Sequence, residues 1–593
     1  MQSSITVTEK VTAEAPAAIT LLGTEKLAEM PGVHLDDRLR LVPGFSLFRR
    51  TSSLVANPTT QGVSLRGIGS TGASRSLLLW DGVPLNSPFG GWIYWNRVSP
   101  DEVEEVEISR GATTAVFGDK AMGGAIALFS PAARGGFTAG IEGGNLGQVG
   151  ARGAAAMPLG ARFAATARVR FFSMDGYFLV PEGSRGAVDT KANSRFASGQ
   201  ARLDYTGGKD RLFVRLDTLA EERDNGTQLQ HNSTGAGTLA AQYQREAGSS
   251  GSLALTAFHS REEYRASFSA IGAGRQTERL TSLQSVPSEA AGLSGLVRGG
   301  GTRGSWVAGG DFQRVEGYSR EALFPAGSRI GGGVQTQGGF FGQGDVALRS
   351  LRLYGGLRGH ETGNGFFWSP SGGASVGFEN VRVRASAYRA FRAPSLNELY
   401  REFRVGNTVT LANSALEAET LSAVEAGADA VWGRRSLRFT VFRNALEALI
   451  TRQRQNAGAA LNRGVEAGWR EQWRAWTLDA AWLLADSRFA AGERVPQVAK
   501  HQGSATLAWS RGATFAAGGL RASSLQFEDD RNQFVLPGYA VWHLMGRQRI
   551  AGGVWFEFAM ENAFNREVLA GYSPTPLLAS PRLVRAGISF TSK

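Results

Sequence analysis

The stretch "ARFAATARVRFF" at residues 161–172 alternates apolar and polar side chains along its length. Phe163, Val169 and Phe171 fall on one face together with two alanines, whereas Arg168 and Arg170 fall on the other. A period of two residues is the pattern of a β-strand that has one apolar face. The stretch therefore predicts a strand with an apolar side and an arginine-rich side.

The same alternation recurs from about residue 135 to the C-terminus, with turns rich in Gly, Asp, Asn and Ser between the repeats. It is found in "RLFVRLD" (211–217), "VRVRASAY" (381–388), "SLRFTVF" (436–442) and "VWFEFAME" (554–561). Many such strands in succession favour a transmembrane antiparallel β-barrel with lipid outside and water inside. A soluble sandwich is disfavoured because the region is too long for one core. A propeller or solenoid is disfavoured because no repeat period is present.

The length of this region fits a barrel of about 22 strands. Residues 133–593 suffice for about 22 strands of roughly 9–11 residues with their connections. Length alone also fits about 16 or 18 strands. The 78 glycines suit turns and bending strands. No apolar run reaches the roughly 18 residues that a membrane-spanning helix needs.

The net charge of +12 allows two interpretations. One is a polyanionic partner, and the other is arginine distributed along polar strand faces, which is favoured. Nucleic-acid binding is not expected because the sequence lacks basic runs, zinc-finger spacing and a recognition helix. The absence of cysteine excludes disulfides, thiolate metal sites and cysteine catalysis. The six histidines have no metal-ligand spacing, so no metal site is expected.

Three short motifs resemble chemical sites without their required context. "GIGSTG" (67–72) and "GASVG" (373–377) imitate a dinucleotide loop and a nucleophile elbow, but a strand follows each where a helix is needed. "FEDDRNQF" (527–534) could hold Ca²⁺, although a plain acidic loop is favoured. The sequence therefore indicates no catalytic residue, no enzyme and no covalently bound cofactor.

Residues 1–131 follow a different pattern, that of a compact mixed unit with a short helix and several apolar strands. Within it, "FGGWIYW" (89–95) places four aromatic rings in seven residues. These rings suit a buried core, a membrane contact or the floor of a binding chamber. The chain starts "MQSSITVTEK", which is not a signal peptide.

Three segments of the N-terminal unit resemble the plug domain of TonB-dependent outer-membrane receptors. They are "SLRGIGS" (64–70), "SLLLWDGVPLN" (76–86) and "VEEVEISRGATTAVFGDKAMGGAIALFSP" (103–131), in the order and spacing of that family. The resemblance implies a 22-stranded barrel whose lumen is filled by an N-terminal mixed α/β plug. It implies an N-terminal extension at residues 1–12, a plug at 13–132 and a barrel at 133–593. It also implies location in the outer membrane after removal of a signal peptide that this sequence does not contain.

The barrel region carries further family motifs. "FRAPSLNELYREF" (391–403), "NSALEAETLSAVEAG" (413–427), "NRGVEAG" (462–468) and "SPRLVRAGISF" (580–590) resemble strand ends and closing strands of the family. The chain departs from the family pattern at Ser414 and Ala418, where proline is usual. It also continues past Phe590, whereas the family usually ends on an aromatic residue.

The resemblance assigns roles to eight residues near the plug. Ile5, Thr6, Val7 and Thr8 match the TonB box, an extended segment that adds as a strand to TonB of the inner-membrane energy-coupling complex. The alternative for these residues is an ordinary terminus. Arg66 and Arg110 of the plug are expected to pair with Glu425 and Glu466 of the barrel as a latch, because a lone buried charge is costly. The alternative is four separate, solvated charges.

A ligand site is expected at the outer face of the plug. Exposed rings at Phe89, Trp92, Tyr94 and Trp95 would contact the ligand, and Arg49 and Arg50 would attract an anionic one. The alternative is that some of the rings pack against the barrel wall.

The expected function is energised uptake of a scarce small ligand, most simply a ferric siderophore-like chelate. Cobalamin is the alternative cargo within the family, and a passive porin is the rival from another class. Expected partners are TonB, outer-membrane lipid and lipopolysaccharide, and the protein is expected to be a monomer.

Overall fold

The computed structural model describes residues 18–592 apart from 70, 112–113, 134, 249–250, 406–407, 452–453, 457 and 573–574. These residues form a plug and a closed barrel around it. No helix among them is long and apolar enough to cross a membrane.

The plug contains a five-stranded sheet in the order β1-β6-β7-β4-β5, in which only β4 and β7 run parallel. Its elements are β1 Ala18–Gly23, α1 Thr24–Ala28, α2 Leu35–Leu39, β2 Ser46–Leu47, β3 Val63–Ser64, β4 Leu77–Trp80, β5 Val83–Pro84, β6 Glu105–Arg110, α3 Thr114–Phe117 and β7 Ala125–Phe129. Short 3₁₀ turns lie at Pro58–Thr60, Trp95–Arg97 and Pro100–Glu102. Strand β4 is buried on both faces, as its apolar sequence "LLLW" predicts.

Twenty-two antiparallel strands form the barrel. The first eleven are β8 Gly136–Gly144, β9 Val149–Leu159, β10 Phe163–Phe178, β11 Asp189–Gly207, β12 Asp210–Thr227, β13 His231–Ala247, β14 Gly251–Ile271, β15 Glu278–Gly301, β16 Gly304–Leu323, β17 Ser328–Leu348 and β18 Leu351–Glu361. The others are β19 Phe366–Gly377, β20 Val381–Arg392, β23 Glu419–Trp432, β24 Arg435–Glu447, β25 Ala460–Trp473, β26 Trp476–Phe489, β27 His501–Arg511, β28 Thr514–Ser523, β31 Tyr539–Ala551, β32 Val554–Glu561 and β35 Leu583–Thr591.

The remaining elements lie in connections. They are the 3₁₀ turns Glu182–Ser184 and Ala273–Arg275, helix α4 Leu396–Tyr400, and strands β21 Phe403–Val405, β22 Thr408–Thr410, β29 Gln526–Phe527, β30 Val535–Leu536, β33 Leu569–Gly571 and β34 Leu577–Leu578.

Strand β35 pairs with β8, placing Ile588 opposite Ile141, and this pairing closes the barrel. The predicted fold class, with its 22 strands and N-terminal plug, is therefore confirmed. Among the strands that the structure describes, closure leaves none of the barrel with an unpaired edge, and a sheet can span lipid only under that condition.

The two ends of the barrel differ. At one end, here the short-turn end, many connections have only two residues, such as 208–209 and 433–434. At the other, the loop end, connections reach 393–418 and 562–582. Strand β8 follows the plug and starts at the short-turn end. The wall is also uneven, because β15 has 24 residues and β32 has 8.

The predicted alternation of strand faces is confirmed in β10. Val169 and Phe171 are 64% and 42% exposed on the outer face, whereas Arg168 and Arg170 are buried against the plug. Outward apolar side chains of this kind form an apolar belt around the barrel. Arg215, Arg358 and Arg392 are among the largest fully buried side chains, and all three lie on barrel strands. The favoured interpretation of the positive charge, arginine on polar strand faces, accounts for these residues.

Candidate functional site

The four residues of the predicted latch lie together between plug and barrel. Arg66 forms an ion pair with Glu425, and its Nε atom lies 3.1 Å from Oε1 of Glu466. Nη1 of Arg110 lies 3.6 Å from the same Glu466 oxygen. All four side chains are buried. The side-chain amide of Asn462 donates to the carbonyl oxygen of Arg66 at 2.7 Å, so the backbone of this turn is also held.

Local structure explains how these charges meet. Arg110 is the last residue of β6, and Glu425 and Glu466 face the lumen from β23 and β25. Gly111 follows with φ of +97°, and a Cβ atom there would lie 2.6 Å from a carboxylate oxygen of Glu425. Only glycine suits both this backbone angle and this close approach.

The pKa values of the two plug arginines are shifted in opposite directions. Burial tends to lower the pKa of Arg66, but the adjacent Glu425 and Glu466 carboxylates more than offset it and raise the pKa. Burial lowers the pKa of Arg110 to about 10, because Glu466 offsets only part of the effect. Of these two arginines, Arg66 is therefore the more strongly bound to the barrel.

A second buried ion network was not predicted from the sequence. Arg75 of the plug donates to both carboxylate oxygens of Glu419 at 2.6 and 2.9 Å. Arg392 donates to Glu419 at 2.7 Å and to both oxygens of Glu398 at 2.9 and 3.0 Å. Glu398 also caps helix α4 through Ser395. The network thus links the plug, two barrel strands and an outer connection.

A third contact joins the plug turn at Asp81 to the opposite side of the barrel. The Asp81 carboxylate lies 3.0 Å from Nη1 of Arg202 and 2.5 Å from Nη1 of Arg215. Burial tends to raise the pKa of Asp81, but the two guanidinium groups hold it below its ordinary value. Asp81, the first residue of the family motif "DGVP", therefore forms ion pairs with the barrel wall.

The predicted ligand arginines contact outer connections. Arg50 donates to the carbonyl oxygen of Pro537 at 2.8 Å, and its guanidinium carbon lies 5.1 Å from the centre of the Tyr539 ring. Nη2 of Arg49 lies 3.9 Å from a carboxylate oxygen of Glu528. In this conformation both arginines hold the 524–538 connection over the plug.

The four predicted ligand rings are buried, with 0–3% of each side chain exposed. Phe89, Trp92 and Tyr94 belong to an apolar cluster with barrel residues, whereas Trp95 belongs to the plug core with Phe45. Trp92 and Tyr94 are alternate residues and point to one side, with Trp95 on the other, whereas Phe89 lies in the preceding turn at 88–90. The structure does not place these rings on an open chamber floor, and their contact with a ligand stays a prediction.

The predicted TonB box, Ile5, Thr6, Val7 and Thr8, lies outside the described residues. Its role therefore stays a prediction.

Two family models match the chain. The one described as "TonB dependent receptor-like, beta-barrel" matches residues 173–563, and the one described as "TonB-dependent Receptor Plug Domain" matches residues 11–125. Together they cover the plug and most of the barrel.

Curated relatives match only a short part of the chain. The ferric enterobactin receptor PirA of Pseudomonas aeruginosa is 29% identical over 128 residues, which cover 20% of this chain and 17% of that protein. The vitamin B12 transporter BtuB of Vibrio vulnificus is 31% identical over 118 residues, which cover 20% of this chain and 18% of that protein. The chain thus spans less than a fifth of the length of these relatives.

Solved structures match over nearly the whole chain. The ferric yersiniabactin uptake receptor FyuA from Yersinia pestis has a TM-score of 0.81 at 15% identity, and the match covers 98% of both chains. The copper transporter OprC has a TM-score of 0.82 at 16% identity, with 98% and 99% covered. At such identities the likeness shows the shared fold alone.

Proposed function

This chain belongs to the TonB-dependent receptor family, and from that premise we propose that it takes up a scarce extracellular ligand across the outer membrane by an energised route. The protein would reach that membrane after removal of a signal peptide. It would act as a transporter, so no catalytic residue is proposed.

The observation that most supports active uptake is that the folded plug closes the lumen of the barrel. Buried ion pairs join this plug to the barrel wall. Arg66, Arg75 and Asp81 each pair with barrel charges at separate places. Breaking one buried pair leaves an uncompensated charge and costs about 3–5 kcal/mol. Such a plug opens only when work is done on it, which supports active uptake over a passive porin.

The work would come from TonB of the inner-membrane energy-coupling complex. Residues 5–8, "ITVT", are uncharged and rich in β-branched side chains. A segment of this kind can add as a strand to the sheet of a partner, which can then pull on the plug.

The proposed cargo is a ferric siderophore-like chelate. Support comes from the curated relative named as a ferric enterobactin receptor, together with the solved ferric yersiniabactin receptor. Cobalamin is the second candidate, because another curated relative is named as a vitamin B12 transporter. The apolar belt would contact outer-membrane lipid and lipopolysaccharide. The receptor would be a monomer.

The test is uptake by cells that carry this receptor as their sole route. Radiolabelled iron in a panel of siderophores, and labelled cobalamin, would be offered to cells with the full chain or with residues 5–8 replaced by Gly-Ser. Saturable uptake of one ligand that is lost in the replaced variant supports the proposal. Uptake that persists in that variant would favour a porin.

A further inference from the structure

A cavity of about 700 Å³ lies between the plug and one side of the barrel. On the plug side it is lined by Leu77 and Phe129, and on the barrel side by residues of β9 to β18 that include Phe213 and Gln242. It extends to Arg162 in the exposed β9–β10 turn. The cavity therefore opens toward the short-turn end.

A layer of the plug separates this cavity from the loop end. We call residues 87–97, which include the four rings, the septum. In β14 the cavity reaches Phe258, and the septum meets Glu262 four residues nearer the loop end. In β13 the cavity reaches Gln242, and the septum meets Thr238 four residues nearer the loop end. Four residues of a strand span about 13 Å.

The septum is sealed to the wall by rings and hydrogen bonds. The Ser87 and Tyr94 hydroxyls donate to the same Glu262 oxygen at 2.9 and 3.1 Å, and the Asn96 amide donates to Glu221 at 2.6 Å. Phe89 packs so closely on β16 that a Cβ atom at Gly317 would lie 2.9 Å from its ring.

Two buried carboxylates of the barrel wall lie against the septum. Glu221 and Glu262 are 3% and 2% exposed, and in each the Oε2 atom has no hydrogen-bond partner among the described residues. The seal therefore includes two buried acidic side chains of the barrel wall.

We propose that the septum is the moving gate of the plug, and that the cavity beneath it is an inner chamber that receives the cargo. The path runs along β12 to β16, while the latch on β23 and β25 stays closed. The rings are then part of the seal.

The lining of the chamber fits a chelate with aromatic or apolar faces, a conclusion that rests on the proposed function. Phe117, Phe129, Phe213 and Phe341 line it, and the Arg202 guanidinium carbon lies 4.0 Å from the centre of the Phe213 ring. The volume lies within the range of roughly 300–1,000 Å³ that small-molecule pockets occupy.

Ion conductance of the purified full chain in planar bilayers tests the gate without any cargo. The triple variant Phe89→Ala, Trp92→Ala, Tyr94→Ala should show discrete openings where the parent is silent. Trp95→Ala, which truncates a ring on the plug-core side of the same segment, should stay silent. Heat-modifiable gel migration checks that each barrel is folded. A silent triple variant, or equal openings in Trp95→Ala, would overturn the proposal.

A blocking experiment tests the route. Because the chain has no cysteine, Gln242→Cys in the triple variant gives a single site in the cavity wall for a bulky maleimide. Modification should reduce conductance at least twofold. The matched site Ala508→Cys, buried on the opposite wall in β27, should leave conductance unchanged. The reverse result would place the path on the other side of the plug.

A disulfide tests gating in transport. The Cβ atom of Phe89 lies 3.5 Å from a Cβ built on Gly317, which suits the bridge in Phe89→Cys/Gly317→Cys. Oxidised cells should bind the ferric chelate but take up at least tenfold less than reduced cells, and undiminished uptake in oxidised cells would refute the gate. A parent receptor that takes up no ligand of the panel would refute the proposed function, while conductance still decides the gate.

Discussion

Nε of Arg66 and Oε1 of Glu466 lie 3.1 Å apart although 400 positions separate the two residues in the chain. The contact joins the turn after β3 in the plug to strand β25 of the barrel, and both side chains are less than a tenth exposed. Pairing between buried charges therefore helps to hold the plug in its position in the barrel.

Arg66→Ala should lower the free energy of plug unfolding by about 3–5 kcal/mol, because it leaves Glu425 and Glu466 buried with weaker partners. Urea titration followed by tryptophan fluorescence measures this change. The control is Arg211→Ala, whose pair with Glu246 is 64% and 61% exposed and should contribute no more than about 1 kcal/mol. Equal losses in both variants would contradict the latch.

Glu419→Gln should destabilise the plug more than Arg75→Ala does. The first change leaves the Arg75 and Arg392 guanidiniums facing each other without the charge between them, whereas the second leaves Glu419 paired with Arg392. The same urea titration on both variants gives the order. If Arg75→Ala lowered the stability of the plug more than Glu419→Gln, the plug arginine would be the main stabilising member of the network.

Trp92→Phe and Trp95→Phe should leave the acrylamide-quenched part of the tryptophan emission unchanged, because both rings are at most 3% exposed. Trp473→Phe is the control, since Trp473 is 41% exposed beside the turn at 474–475. Loss of quenchable emission in the Trp92 variant would indicate that this ring faces an open chamber.

Plug stability should depend on pH through Asp36. Burial, reinforced by the charge of Asp37, raises the pKa of Asp36 from its ordinary value of 3.8 to about 7. The folded plug therefore binds this proton more tightly than the unfolded chain, and the contribution to stability is lost as pH rises from about 4 to 7. Asp36→Asn carries no such proton, so its stability relative to the parent should increase over that window.

Urea midpoints of the two proteins at pH 4.5, 6 and 7.5 supply the test, and their difference cancels the groups they share. His34 contributes the opposite sign in both proteins, because burial and nearby arginines lower its pKa. A difference that does not change with pH would mean that Asp36 is ionised throughout.

Val169→Arg should destabilise the barrel by about 2–4 kcal/mol, because this side chain is 64% exposed on the outer face of β10 within the apolar belt. Val169→Leu is the matched control and should be near neutral. The free energy of folding into lipid vesicles, measured at increasing urea concentrations, gives both values. Tolerance of arginine would place this part of β10 outside the lipid.

More of the fold than of the candidate site could be predicted from the sequence. Alternation at 161–172 established which residues face outward, because a strand has only two faces and the chain marks one as apolar. The positions of Trp92 and Trp95, three residues apart, put the two rings on opposite sides of the segment, but alternation does not show what covers each side. Burial of Trp92 depends on Tyr264 of the distant strand β14, and burial of Trp95 depends on the plug core.

The ion network at Glu419 shows the same limit. "FRAPSLNEL" contains both Arg392 and its partner Glu398, but the second partner, Glu419, comes from strand β23. An arginine or glutamate at a lumen-facing position of a strand indicates a buried charge. Which charges pair depends on the register of the strands, and the sequence does not give that register. The family resemblance supplied that register only for Arg66, Arg110, Glu425 and Glu466.

The uneven wall makes the approach to the plug directional. Strand β15 exceeds β32 by 16 residues, which corresponds to roughly 40 Å of height for tilted strands. A small chelate can descend into the barrel from any side. A larger particle meets a higher strand wall along β11 to β17 than near β32 and β35. The loop end of the barrel thus has a high flank and a low flank.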